Sequence, residues 1–481
     1  MNYKMMGRFI SQILMIEAVF MIPALCIGLF RTEWMAVQGF IAAMAICLLV
    51  GVLLHWLCKG APSAFYAKEG MVCVGISWIT LSLFGCLPFF ISHEIPQFID
   101  AFFETVSGFT TTGSSVVANV EGLSKSILYW RSFSNWLGGM GVLVFLLAFT
   151  GGQGQGFTMH LLRAESPGPN VGKLVPKMRR TATLLYIIYL VMTVINFLFL
   201  IFGKMPVFDA ICTAMSTAGT GGFGIKNDSF ASLSPYIQNV TTVFMILFAV
   251  NFNCYYLMLL RQFKAVFTDE ELRLYIGVIV GAIVLITLNI YDLYGSLGES
   301  VRHASFQVGT LISSTGFAST DFDLWPSFSK TILICIMAVG ACAGSTGGGL
   351  KLARLLLLLK GLRRNIRQTL NPKKVQVIRN NGATVSEKIL DNTNAYLAAY
   401  ALILFASFVL ISIDGFSTAT NFTAVLSCFN NMGPGLEAVG PTCNFAGFSI
   451  FSKLILCLDM LLGRLEIFPI LILFSRSTWK R

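Results

Sequence analysis

Four glycines, Gly113, Gly222, Gly316 and Gly433, stand in matching surroundings along this chain. Six residues before each is a small hydroxyl residue: Ser107, Ser216, Thr310 and Ser427. The two residues just before each glycine are Thr111-Thr112, Thr220-Gly221, Ser314-Thr315 and Asn431-Met432. A loop that runs extended past a glycine can turn its carbonyl oxygens inward, and the C-terminus of a helix leading into it carries partial negative charge. Four such loops around one axis would stack rings of oxygens able to replace the hydration shell of a monovalent cation. The glycine is needed because a side chain there would block both the close approach and a positive φ. The hydroxyls of Thr111, Thr112, Thr220, Ser314 and Thr315 are placed to fix such loops from behind. The competing reading is close helix packing through small residues; it suits a single copy better than four at matched offsets.

The copies recur roughly every 100 residues, far beyond a solenoid period, so each belongs to a unit several helices long. Composition says what those units are made of. Of 481 residues 55% are hydrophobic and only 12% charged, with a mean hydropathy of +0.74, which excludes an ordinary soluble domain. A bilayer core of about 30 Å needs about 20 apolar residues per helix. By that measure spans are predicted near 8–30, 36–58, 70–92, 127–150, 181–203, 236–260, 274–294, 329–360, 395–413 and 449–475. Between the third and fourth, fifth and sixth, seventh and eighth, and ninth and tenth lie shorter apolar segments of re-entrant length, each ending at one of the four glycines. The chain therefore reads as a leading helix pair, then four units of helix, re-entrant helix with loop, and helix. No cleavable signal is expected, because the first apolar run is long enough to span.

Lys and Arg collect at 351–394 (Lys351, Arg354, Lys360, Arg363, Arg364, Arg367, Lys373, Lys374, Arg379, Lys388) and at 163–180 (Arg163, Lys173, Lys177, Arg179, Arg180). Those stretches are expected on the cytoplasmic side, and the glycine loops, with Glu94, Asp100, Glu104, Asp209, Asp228, Asp321 and Asp323, outside. The outer acids, Asp100 and Glu104 among them, would raise the local cation concentration. The net charge of +11 is on this reading a topology signal, and no basic soluble domain exists to bind nucleic acid. The twelve cysteines show no CxxC spacing and read as small hydrophobes. The four histidines form no metal or acid–base pattern. The run Gly219-Thr220-Gly221-Gly222-Phe223-Gly224 satisfies a dinucleotide fingerprint but neither follows a strand nor opens a βαβ unit.

The eighth span is too long and is interrupted by Gly340-Ala341-Cys342-Ala343-Gly344-Ser345-Thr346-Gly347-Gly348-Gly349. Each interior glycine costs a helix up to about 1 kcal/mol against alanine, so the segment is expected to unwind in mid-membrane; a glycine kink between packed helices is the alternative. The last span carries Asp459, Arg464 and Glu466. A charge there costs at least about 2.5 kcal/mol, so each must face water or a partner. For Arg464 a structural salt bridge to an acidic neighbour stands as the alternative to a role in the pore.

These features resemble the ion-conducting subunit of the Trk/Ktr/HKT superfamily of potassium transporters. The specific marks are Thr110-Thr111-Thr112-Gly113, Gly221-Gly222-Phe223, Ser313-Ser314-Thr315-Gly316-Phe317 and Asn430-Asn431-Met432-Gly433-Pro434-Gly435. The match covers essentially the whole length, and the leading pair makes it more similar to the TrkH/TrkG branch than to KtrB. The resemblance implies an all-α polytopic membrane protein with four pseudo-fourfold M1-P-M2 repeats, like a single-chain K⁺ channel, after an N-terminal helix pair. The units are then 1–60 (the pair), 61–155 (filter 110–114), 175–262 (filter 219–223), 272–362 (filter 313–317, intramembrane loop 340–349), a basic cytoplasmic linker 363–394, and 395–481 (filter 430–435).

The resemblance further implies K⁺ as transported ion, held by Thr111, Thr112, Gly113, Thr220, Gly221, Gly222, Ser314, Thr315, Gly316, Asn431, Met432 and Gly433. It implies a gate made of Gly344, Gly347, Gly348 and Gly349 with Arg464 projecting into the pore. It implies a homodimer in lipid, in a bacterial cytoplasmic membrane with both termini cytoplasmic, regulated by a cytosolic TrkA-like nucleotide-binding ring. No nucleotide site is visible in the chain, so ATP or NAD would act only through that partner, docked on 351–380 and 151–180. A polybasic face toward lipid is the alternative use of those stretches. Enzyme activity is not expected. A Na⁺- or H⁺-coupled Ktr-type symporter and a less selective monovalent cation channel remain open, the latter because the four filters depart from TVGYG and from each other.

Overall fold

The computed structural model describes residues 1–60, 67–141, 178–373 and 376–479. The end of the fourth predicted span, residues 151–177 of the expected docking stretch and the basic residues Arg163, Lys173, Lys177 and Lys374 lie outside the described residues. Helices α1 (Tyr3–Phe20) and α2 (Ile22–Arg31) form one apolar run bent where Pro23 opens α2, and α3 (Trp34–Leu57) returns alongside α1. Next come α4 (Ala67–Gly85), α5 (Leu87–Ile91), α6 (Phe98–Phe109) and α7 (Lys125–Gly139). The leading pair is tied to them by Glu33, whose carboxylate accepts from the backbone N–H groups of Lys125 at 2.9 Å and Ser126 at 3.0 Å. Those N–H groups have no intrahelical acceptor, and a negative charge is favoured at that end of a helix.

The chain continues with α8 (Met178–Phe202), α9 (Val207–Gly219), α10 (Pro235–Phe248) and α11 (Phe252–Leu259). The short α12 (Phe263–Phe267) leads into α13 (Glu270–Tyr294), α14 (Leu297–Ile312), α15 (Ser327–Val339) and α16 (Leu352–Leu370). A two-residue ribbon, β1 (Arg379–Asn380) antiparallel to β2 (Ala383–Thr384), separates α16 from α17 (Glu387–Ile411). The chain closes with α18 (Thr418–Phe429), α19 (Ile450–Arg464), α20 (Phe468–Phe474) and α21 (Arg476–Trp479).

Six described spans are long and apolar enough to cross a bilayer. Their outward faces carry exposed apolar side chains such as Leu49, Phe202, Leu288 and Leu402. Serine, threonine and asparagine are instead concentrated inside, on and after α6, α9, α14 and α18. This inversion is what lipid as solvent demands: hydrocarbon outside, and polar backbone buried only where protein satisfies it.

Two predicted spans that read as continuous are broken. The sixth turns by 88° between α10 and α11, where Asn251 caps the new helix by accepting from Asn253 N at 3.0 Å. The tenth breaks between α19 and α20 at Glu466 (φ 61°) and Ile467 (φ 66°). A positive φ at a β-branched residue is a costly conformation that surrounding packing must enforce. The eighth breaks as expected, over 340–351. The helices that follow a glycine loop pack against the next short helix: α7 on α9, α10 on α14, α15 on α18, and α19 back on α6. The order closes on itself.

Candidate functional site

Each of α6, α9, α14 and α18 ends in the same backbone device. The residue before the key glycine donates to the carbonyl of the hydroxyl residue five positions earlier: Thr112 to Ser107 at 2.9 Å, Gly221 to Ser216 at 3.0 Å, Thr315 to Thr310 at 2.8 Å and Met432 to Ser427 at 2.9 Å. This is a Schellman C-cap, which requires a left-handed residue between the two partners. Thr111 (φ 56°), Thr220 (52°), Ser314 (58°) and Asn431 (53°) supply it, and two residues later Gly113 (80°), Gly222 (66°), Gly316 (89°) and Gly433 (95°) turn positive again. The hydroxyl residues that marked the motif in the sequence thus contribute their carbonyls. Their hydroxyls differ: Ser216 donates to Phe223 O at 3.0 Å, whereas those of Ser107, Thr310 and Ser427 are buried with no partner among the described residues.

The four loops touch in a ring. A Cβ on Gly113 would overlap the carbonyl oxygen of Gly221, one on Gly222 that of Thr315, and one on Gly316 that of Met432; one on Gly433 would sit 3.0 Å from that of Thr112. In every case the oxygen belongs to the residue just before the next loop's glycine. Four equivalent carbonyls therefore lie at the seams; at three of them a side chain would overlap the oxygen, and at the fourth it would be in tight contact. Behind them Thr112 Oγ1 lies 2.8 Å from Thr110 Oγ1 and accepts from Asn431 Nδ2 at 2.9 Å, joining the fourth loop to the first. Ser114 Oγ donates to Gly433 O across the same seam at 3.0 Å, and Ser313 Oγ and Thr315 Oγ1 stand 2.7 Å apart. Thr220 Oγ1 bonds its own neighbour, Gly219 O, at 2.7 Å.

Beneath the ring lies the segment between α15 and α16. Gly340, Gly344 and Gly349 have positive φ there. Gly348 N donates to Ser314 Oγ at 2.5 Å, and a Cβ on Gly348 would overlap Asn430 O; one on Gly347 would meet Ser313 O at 2.7 Å. The segment is thus wedged against the third and fourth loops. It is also pinned to the α10–α11 break by Phe252 N to Gly344 O at 3.0 Å and Thr346 Oγ1 to Phe248 O at 3.1 Å.

Arg464 closes the space on the other side. Its guanidinium donates to Thr111 Oγ1 at 3.2 Å, Thr346 O at 2.9 Å, Gly139 O at 2.7 Å and Gly138 O. One side chain therefore touches the first glycine loop, the intramembrane segment and the end of α7. Glu466 does not serve it: that carboxylate pairs with Arg354, whose guanidinium also lies 3.9 Å from the Tyr396 ring centroid. Asp459 accepts from Ser407 Oγ at 2.7 Å.

Three expectations need correction. Glu104 is not an outer, cation-collecting acid: it is fully buried and paired with Arg131. Asp100 lines a cavity of about 400 Å³ together with Glu94 and Asn119, but it is paired with Lys453 at 2.6 Å. Lys351 and Arg354, counted as cytoplasmic loop charges, are buried under the intramembrane segment, where Lys351 Nζ donates to Gly347 O. Sequence reasoning also passed over Arg131 and Asn135. An arginine within a span of membrane length was the available signal for the first; a buried asparagine gives none.

A family model described as TrkH, cation transport protein, matches residues 36–480. The chain is 34% identical to the Trk system potassium uptake protein TrkH of Salmonella typhimurium, and the alignment covers 100% of both chains. It is 31% identical to TrkG of Escherichia coli K12, over 96% of this chain and 95% of that protein. The crystal structure of the potassium transporter TrkH from Vibrio parahaemolyticus superposes over 100% of both chains with a TM-score of 0.89 at 29% identity.

Proposed function

The chain belongs to the TrkH family of cation transport proteins, membrane ion-transport proteins rather than enzymes, and from that premise we propose that it carries K⁺ into the cell through a filter built by its four glycine loops. The observation that carries this reading is the cyclic contact of Gly113, Gly222, Gly316 and Gly433 with the carbonyls of Gly221, Thr315, Met432 and Thr112. Carbonyls brought together in this way can replace the water shell of a dehydrated monovalent cation. On this reading the four units are M1-P-M2 repeats around a pseudo-fourfold axis, with α6, α9, α14 and α18 as pore helices.

The path inward passes the intramembrane segment, with Gly344, Gly347, Gly348 and Gly349, and the guanidinium of Arg464. Both block it in this conformation, the segment by occupying space and the arginine by its charge. Opening requires the segment to leave Ser314 and Asn430 and Arg464 to exchange its carbonyl partners. An inside-negative potential then supplies about 2.3 kcal/mol per charge per 100 mV, enough to drive uptake without hydrolysis in this chain. Because α16 follows the segment directly, a cytosolic nucleotide-binding ring docked on the exposed basic residues of the 351–380 stretch, Arg363 and Arg367 among them, would pull on it, and the relatives' naming as part of a Trk system supports such a partner. Assembly as a homodimer in a bacterial cytoplasmic membrane belongs to the same proposal.

The test is ⁸⁶Rb⁺ uptake into liposomes holding the purified protein, competed by K⁺, Na⁺ and Li⁺, with Gly113→Ser beside the wild type. Uptake blocked by K⁺ far better than by Na⁺, with that preference lost in the variant, is the expected result. Flux indifferent to Gly113→Ser would mean that the loops pack the protein and do not select ions. Repeating the uptake under changed Na⁺ and pH separates a channel from a coupled carrier.

A further inference from the structure

The most deeply buried ion pair among the described residues, Glu104 with Arg131, sits at one seam of the ring, with side-chain exposures of 0% and 2%. Glu104 lies on α6, within the short helix that leads to the first loop. Its carboxylate accepts from Ser115 Oγ at 3.0 and 3.1 Å and from Val116 N at 3.0 Å, which fixes the strand leaving Gly113. Arg131 on α7 donates to Glu104 Oε1 from Nε at 2.8 Å and to Ser115 Oγ at 3.3 Å. It then reaches across to the second loop, donating to Gly224 O at 3.3 Å, with its guanidinium 4.1 Å from the Phe223 ring centroid.

Arg131, Asn135 and Gly139 fall at i, i+4 and i+8, one face of α7. That face follows the second loop along its length. Asn135 Nδ2 donates to Ser216 Oγ at 3.2 Å and lies 2.6 Å from where a Cβ on Gly221 would be, and Gly139 abuts Gly219 in the same way. At the fourth-to-first seam the loops themselves meet through neutral contacts, Asn431 to Thr112 and Ser114 to Gly433, and the ion pair between α19 and α6, Lys453 with Asp100 at 2.6 Å, sits near the start of α6, away from the loop. Where Gly463 meets Phe429 O as Gly138 meets Phe109 O, the residue seven earlier is Leu456 on α19 and Arg131 on α7. The equivalent turn of α19 therefore carries no counterpart of the Glu104–Arg131 brace.

We propose that Glu104 and Arg131 are positioning residues that set the distance between the first and second glycine loops, and so the preference for K⁺ over Na⁺, without touching the ion. The inference rests on the filter reading above. A buried charge-assisted pair, here with Arg131 Nε 2.8 Å and Nη2 2.6 Å from Glu104 Oε1, is short and directional, and it fixes geometry where water cannot relax it. A ring held stiffly on one side cannot shrink around a smaller cation, so loss of the brace relaxes selectivity before it stops flux.

The experiment is competed ⁸⁶Rb⁺ uptake with Glu104→Gln, Arg131→Gln and the double variant, run beside Gly113→Ser, with melting temperature measured on the same preparations. Each single variant is expected to lower the ratio of Na⁺ to K⁺ concentrations needed for half-block by about fivefold or more, equivalent to about 1 kcal/mol. The double variant is expected to be no worse than the worse single, the signature of residues acting as a unit. A wild-type ratio in both single variants, with or without a lowered melting temperature, overturns the proposal and leaves the pair a fold brace. If Gly113→Ser shifts the ratio while the pair variants do not, only this inference falls. If Gly113→Ser also leaves it unmoved, the filter reading has failed first. Should Arg131→Gln not be recovered folded, Arg131→Lys keeps the charge but not the fork that spans Glu104, Ser115 and Gly224, and a wild-type ratio there overturns the proposal equally.

Discussion

The guanidinium of Arg464 and the hydroxyl of Thr111 are 3.2 Å apart, and the same guanidinium lies 2.9 Å from Thr346 O. A residue of the last long helix thus joins the first glycine loop to the intramembrane segment. It places a positive charge next to the loops. Charges a few ångströms apart interact by about 4 kcal/mol at a near-surface dielectric, so on the proposed path its effect on a passing cation would be large.

Arg464→Ala is expected to raise cation flux by about tenfold, corresponding to a barrier lowered by about 1.4 kcal/mol. Initial ⁸⁶Rb⁺ uptake at matched protein density measures it. Unchanged flux in intact protein would leave Arg464 a structural clasp for Gly138, Gly139 and Thr346.

Glycines of the ring and of the segment should respond in opposite directions. A methyl on Gly222 would overlap Thr315 O, so Gly222→Ala is expected to cut uptake at least about tenfold, the seam being unable to close. Gly348→Ala would push the segment off Asn430 O and is expected to raise uptake several-fold, by roughly 1 kcal/mol of lost closure. A fall in both would make the segment part of the conducting path and not its barrier.

Gly277 and Gly281 on α13 meet nothing within 4 Å among the described residues, so alanine fits at both. Gly277→Ala and Gly281→Ala are expected to leave uptake unchanged and to stabilise the helix by about 0.5 kcal/mol each. Melting in detergent reads the shift; a loss of stability would reveal a partner against that face.

Arg354→Ala strands Glu466 beside the strained turn at Ile467, which the pair and the Tyr396 ring hold in place. With both side chains mostly buried, the cost is expected to be about 2 kcal/mol, below the range for fully buried pairs. Thermal melting of Arg354→Ala and of the Arg354→Ala with Glu466→Gln double variant tests it, the double being the less destabilised because no unpaired carboxylate remains.

The sequence by itself determined what is local. Apolar length decides which segments can live in hydrocarbon, and a hydroxyl residue and a glycine at matched offsets mark where a short helix ends. So the six long spans, the leading pair, the four loops and the unwinding at 340–349 were all legible. The break at Asn251 and the one at Ile467 were not, because neither has a glycine run; packing imposes them, at Ile467 against the residue's own preference. Only the tertiary structure decided which charge meets which. Glu104 stands in sequence with the outer acids and Lys351 and Arg354 with the basic loop, yet all three are buried, because a charge far from water goes where another chain segment supplies its counter-charge or carbonyls. That segment is 27 residues away for Glu104 and 112 for Arg354, distances at which residue spacing carries no information.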